Sequence, residues 1–284
     1  MLKTLAFAAV TTILGTAQLA VAEEVWKTIP TPPAMPEATD SGTASVNGID
    51  MYFASYGDGD GAPILMIHGG LAHGDIWASQ VAELSQDHRV IVADTRGHGR
   101  TTNDGSAYSI SLLAQDYLAL LDSLNVEQVH LVGWSDGANI GYEISKTAPD
   151  RLASHFAHAG NVTLAGVDPS VQTNEVFGGY VGMMAGDYAK MSPTPDGFEG
   201  FVAGVSEMWF ADKADGLETI KSITVPTLVV HSEHDEAILH AHSAAIARNI
   251  PDAKLLVLDG TSHFSMFQKP EMYSEAIKDW LASL

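Results

Sequence analysis

Short apolar runs that stop at glycines or polar residues, separated by segments of helical period, constrain this chain most. "PILMIHGG", "HRVIVADTRGHG", "VHLVGWSDG", "VPTLVVHSEHD" and "KLLVLDG" are the runs, and "LASHFAHAG" reads as a further strand. Between or after them stand "SISLLAQDYLALLDSLN", "ANIGYEISKTAPD", "ILHAHSAAIARNI" and "PEMYSEAIKDWLASL". Strands that are apolar on both faces need cover on both faces, and helices in alternation supply it. The predicted fold is therefore α/β, a mostly parallel sheet with helices on both sides. Ligands of such sheets bind at the carboxyl ends of the strands.

The rest of the chain departs from that alternation. Residues 1–22, "MLKTLAFAAVTTILGTAQLAVA", have the basic, apolar, small-residue order of a secretory signal, with cleavage expected after Ala22. A periplasmic or secreted protein follows, with no membrane insertion once the signal is removed. Residues 23–44 are proline-rich and read as an extended arm. "SVNGIDMYFASYG" reads as a hairpin through Asn47-Gly48. Residues 45–160 and 223–284 form the two parts of the core. Residues 161–222, rich in Gly and Met, read as an inserted, mostly helical cap over the strand ends. Met183, Met184, Met191, Met208 and Trp209 are candidates for its underside.

The chain contains 284 residues, no cysteine, and 35 acidic against 14 basic residues, a formal charge of -21. Stability must come from the core without disulfides. An acidic surface argues against nucleic-acid or anionic-membrane partners. Charge says nothing of oligomeric state.

Chemistry concentrates at "GWSDG". A serine between a buried strand and a helix sits on a sharp turn that needs small neighbours two positions away on each side. The start of the helix favours negative charge beside it. Serine is a poor nucleophile without a base held by a third group. Two partners follow at strand ends, Asp235 after "TLVVHSEH" and His263 after "LLVLDGTS". Glu233 and Asp259 are rivals for the acid.

The chain resembles an α/β-hydrolase-fold serine hydrolase, esterase- or lipase-like with a small cap, from about Ser45 to Leu284. "HGG", "DTRGHGRT", "GWSDG", "HSEHDEA" and "GTSHF" carry the resemblance, in that order. It implies Ser135 as nucleophile, His263 as base and Asp235 as its orienting acid. It also implies an oxyanion hole from the backbone N–H of Asp136 and a second from Gly70 or Leu71, with His68 structural. The Asp136 carboxylate is expected to turn away, toward the first turn of the following helix. Trp77, Trp134 and Phe264 adjoin these loops and are candidates for the substrate pocket.

The implied reaction is hydrolysis of small or medium uncharged carboxylic esters through an acyl-enzyme, without cofactor or metal. The pairs His231/His234, His240/His242 and His155/His158 resemble metal-ligand spacings, but there is no H-E-x-x-H motif and no cysteine to help build a site, so they read as structural or surface residues. Lactone hydrolysis, proline-releasing aminopeptidase activity, cofactor-free peroxidation and noncatalytic ligand binding are alternatives on the same scaffold. The aminopeptidase reading needs acidic groups for an amine, for which Glu175, Asp187, Asp196 and Glu199 are the cap candidates.

Overall fold

The computed structural model describes residues 24–211 and 216–284, so the signal read over residues 1–22 lies outside the described residues. In chain order the elements are β1 (Asp40–Val46), β2 (Ile49–Tyr56), β3 (Ile64–Ile67), α1 (Ala78–Leu84), β4 (Val90–Ala93) and α2 (Ile110–Ser123). Then come β5 (Val129–Trp134), α3 (Asp136–Thr147), β6 (Leu152–His158), α4 (Glu175–Met191), α5 (Phe198–Phe210) and α6 (Gly216–Thr219). The chain ends with β7 (Thr227–Ser232), α7 (His240–Asn249), β8 (Lys254–Leu258), α8 (Ser265–Gln268) and α9 (Pro270–Ala282).

The strands form one sheet of order β1-β2-β4-β3-β5-β6-β7-β8. β1 and β2 run antiparallel to their neighbours, and every pairing from β4 through β8 is parallel. All residues of β3, β4 and β7 are buried, which requires cover on both faces, as their unbroken apolar runs predict. Asn47 and Gly48 have φ of 46° and 80°, the pair of positive values that a two-residue hairpin demands. Ser109 caps α2 by accepting the Leu112 N–H at 3.2 Å.

One boundary differs from expectation. β1 begins at Asp40, inside the residues read as an extended arm, and a 3-10 turn spans Val25–Lys27. The sequence "DSGTASV" hides this strand because only Val46 is buried, and register comes from the Asn47-Gly48 turn and backbone pairing to β2. The stretch before it is tied down too, since Gln268 Nε2 donates to the Thr28 carbonyl at 2.8 Å.

The chain runs from β3 outward to β4, then returns to place β5 on the other side of β3. Loops leaving β3 and β5 therefore diverge and open a crevice at their carboxyl ends. "HGG" follows β3 and Ser135 follows β5. Helices α4 and α5 lie in the segment between β6 and β7. The base of that segment is hydrogen-bonded to the loop after β7, with Asp168 N–H on the Ala237 carbonyl at 2.8 Å and Leu239 N–H on the Gly166 carbonyl at 3.0 Å. Asn174 starts α4 by accepting the Val176 and Phe177 N–H groups at 2.9 and 3.1 Å.

Candidate active site

Ser135 stands between β5 and α3 with φ 54° and ψ -115°. A positive φ at a non-glycine residue costs about 1–3 kcal/mol and persists only where its surroundings impose it. Here the Ser135 N–H donates to the His158 carbonyl at 2.8 Å, and its own carbonyl accepts from the Asn139 N–H at 3.1 Å. The glycines on either side are obligatory. A Cβ on Gly133 would collide with the Gly137 backbone, and one on Gly137 with the Ile67 carbonyl.

His263 and Asp235 meet as the sequence predicts. The ring Nδ1 lies 3.0 and 3.2 Å from the two Asp235 oxygens. Asp235 Oδ1 also accepts the Ala237 and Ile238 N–H groups at 2.9 and 2.8 Å. Burial pushes the Asp235 carboxyl up, but His263, His231 and the Ile238 N–H outweigh it and hold it below its usual value. Burial likewise pushes His263 down, and Asp235, Glu236 and Asp136 outweigh that, so its pKa is raised above 6.5. With Nδ1–H held by a carboxylate, Nε2 is left as the acceptor. The two rival acids stand elsewhere. Glu233 accepts from the Gly260 N–H at 2.7 Å, and Asp259 is exposed, unlike the buried Asp235–His263 pair.

The loop after β3 is fixed through His68. The Thr95 N–H donates to His68 Nε2 at 3.0 Å, so Nδ1 carries the proton and donates to the Gly69 carbonyl at 2.7 Å. Burial pushes His68 down to about 4, which keeps this arrangement neutral. A trans peptide is flat, so pinning the Gly69 carbonyl points the Gly70 N–H the opposite way. Gly69 packs against Ser135 closely enough that a Cβ there would lie 3.1 Å from the serine Cβ. This places the Gly70 peptide beside the nucleophile candidate.

Ser135, Asp136 and His263 line a cavity of about 710 Å³ beneath the cap. Leu164, Val167, Phe177, Val202, Phe210 and Ile238 make much of its wall apolar, and Asn161, Ser206 and Trp209 add polar atoms. Trp209 is thus on the cap's underside as expected. Met184 and Met208 are buried and do not line the cavity.

The three pocket candidates are corrected. Trp77 is fully buried and packs on Tyr273 at 6.0 Å between ring centroids, so its ring faces α9. Trp134 is buried and donates Nε1–H to the His263 carbonyl at 2.8 Å, steadying the histidine loop from below. Phe264 is buried against Trp134 and Tyr180. Nearness to a catalytic motif along the chain does not fix side-chain direction, and all three point into the core.

The Asp136 carboxylate is also placed differently. Its Oδ2 accepts from Trp209 Nε1 at 2.6 Å, so the cap draws it upward. None of Glu175, Asp187, Asp196 and Glu199 lines the cavity; Asp187 instead pairs with Lys190 at 3.0 Å. Among the described residues no three His, Asp or Glu side chains converge as a metal site. His158 bonds Ser232 and Tyr273, His231 bonds Ser243, and His242 accepts the Val162 N–H.

Two groups near the site had no prior assignment. Glu236 accepts the His263 backbone N–H at 2.9 Å, and Tyr180 donates its hydroxyl to the Gly70 carbonyl at 2.6 Å. Glu236 adjoins Asp235 within "HSEHDEA", a signal that was present. Tyr180 carries none, because its partner is remote in sequence.

The model of the Alpha/beta hydrolase family matches residues 64–276. The chain belongs to this family. Among its relatives, a non-heme haloperoxidase of Rhodococcus erythropolis is 30% identical over 260 residues, covering 78% of this chain and 91% of that one. A pimeloyl-[acyl-carrier protein] methyl ester esterase of Aeromonas hydrophila is 24% identical, covering 78% and 96%. The solved structure of Est816, an N-acyl homoserine lactone degrading enzyme, is 28% identical with a TM-score of 0.66, covering 84% and 99%. The family thus holds esterases, lactonases and haloperoxidases on one scaffold, and its hydrolase core is the one described above.

Proposed function

We propose that this family member is an exported serine hydrolase that cleaves uncharged carboxylic esters through an acyl-enzyme. The observation that carries the reading is His263, held from behind by Asp235, sharing one cavity with a strained Ser135. Ser135 Oγ attacks the ester carbonyl while His263 Nε2 takes its proton. The C–O bond to the alcohol then breaks, and His263 returns the proton to the leaving alkoxide. Water repeats the sequence on the acyl-enzyme and releases the acid. Negative charge on the tetrahedral intermediate is held by the backbone N–H groups of Asp136 and Gly70, with Leu71 adjoining. Export rests on the order of residues 1–22.

The cavity's apolar wall and modest size favour acyl chains of small to medium length. A second reading, hydrolysis of lactones, draws on the likeness to Est816. A panel of acyl esters of graded length, lactones and aminoacyl amides separates these readings. The proposal expects esters to lead, with a length optimum. Turnover confined to amides, or no acyl transfer at all, would contradict it.

A further inference from the structure

The two halves of the oxyanion hole come from different parts of the core, Gly70 after β3 and Asp136 at the start of α3. Each is held from above by a different helix of the cap. Tyr180, on α4, donates its hydroxyl to the Gly70 carbonyl at 2.6 Å. Trp209, on α5, donates its indole N–H to the Asp136 carboxylate at 2.6 Å. The Tyr180 hydroxyl is fully buried, and burial, with Asp136 adding to it, pushes its pKa well above the usual value, so it remains a donor.

The consequences for backbone geometry are direct. His68 fixes the Gly69–Gly70 peptide from beneath, as derived above. Tyr180 fixes the next peptide, Gly70–Leu71, and so turns the Leu71 N–H away from the cap. Leu71 itself has φ 68°, a conformation that a loop without outside support would leave. Trp209 closes the remaining side. A Cβ on Gly70 would collide with the Trp209 ring and lie 2.6 Å from Asp136 Oδ2, so indole, carboxylate and glycine are packed as one unit.

We infer that seating of the α4–α5 cap preorganises the oxyanion hole, with Tyr180 and Trp209 as positioning residues. They act through the Gly70–Leu71 peptide and Asp136 respectively. The inference rests on the proposed nucleophilic role of Ser135. The cap is then more than a wall for substrate. Its seating aligns donors that matter only once charge develops on the carbonyl oxygen, so its effect falls on the transition state.

The test compares Tyr180→Phe, Trp209→Phe and the double variant with wild type, and with Ser135→Ala as the control. Each is assayed on an uncharged ester for kcat, KM and pH profile. Affinities are measured for a trifluoromethyl ketone, which adds a serine to give a tetrahedral oxyanion, and for the matching plain ketone. Phenylalanine keeps the packing ring at both positions, and the melting temperature reports folding. Each single variant is expected to lose about tenfold in kcat and in trifluoromethyl ketone affinity, less than removal of an oxyanion donor outright. KM and plain-ketone affinity should stay within about twofold, and the pH profile of Tyr180→Phe should match wild type.

A double variant with kcat and trifluoromethyl ketone affinity within about twofold of wild type would overturn the inference, provided Ser135→Ala is inactive. So would a loss shared equally by both ketones, which marks a wall and not an aligner. Undiminished turnover by Ser135→Ala would instead remove the nucleophile reading itself, and the inference with it. Should one variant fail to fold, the other still decides, because each anchors a different half of the hole.

Discussion

At the scale of single residues, function here depends on which hydrogen atom is held where. Asp235 holds Nδ1 of His263, which in the proposed mechanism leaves Nε2 as base, so Asp235→Asn should keep the geometry and lose about 10⁴ in kcat by favouring the wrong tautomer. Steady-state kinetics on a good ester checks this, and a loss under tenfold would point to another acid. The raised pKa of His263 sets the sign of the pH dependence. Activity needs the neutral ring, so it should rise with pH through a limb lying above 6.5, as a kcat/KM profile would report. A profile flat from about pH 5 to 8 would count against His263. Ser135, Asp235 and His263 were legible because each follows a strand within a short motif. Trp77, Trp134 and Phe264 were misplaced for the reason already given, that motif proximity ignores side-chain direction. Tyr180 and Glu236 show the complementary gap. Their roles exist only through partners brought near by folding.

Among the elements, β3, β5 and β7 were visible from apolar runs, whereas β1 was not, since backbone pairing and a turn define it without an apolar face. Helix α4 shows how weak local signal and clear tertiary role coexist. It carries Gly178, Gly179, Gly182 and Gly186, each with open space where a Cβ would stand. Such residues lower helix stability, and Gly182 does not line the Ser135 cavity. Gly182→Ala should therefore stabilise α4 by about 1 kcal/mol, read as slower hydrogen exchange along the helix. Unchanged or faster exchange would show that this position serves something other than α4.

For the whole molecule, burial of neutral histidines sets acid tolerance. Burial lowers His155 and His158 to about 3, and His98, with His68 beside it adding to the effect, also to about 3. The unfolded chain binds protons at these sites below about pH 6.5 while the native state does not, so stability falls as pH drops from there toward about 3. His155 has neither ring nitrogen hydrogen-bonded, making it the cleanest probe. His155→Leu should flatten the slope of unfolding free energy between about pH 4 and 6 in denaturant titrations. An unaltered slope would assign acid lability to the carboxylates alone. The central claim is narrower than any of these: one serine, at the end of β5, is the nucleophile. Its most direct test is labelling of the intact protein with a fluorophosphonate probe, followed by peptide mapping. The account predicts a single adduct at Ser135 that Ser135→Ala abolishes; an adduct at another residue, or labelling that survives the substitution, would contradict it.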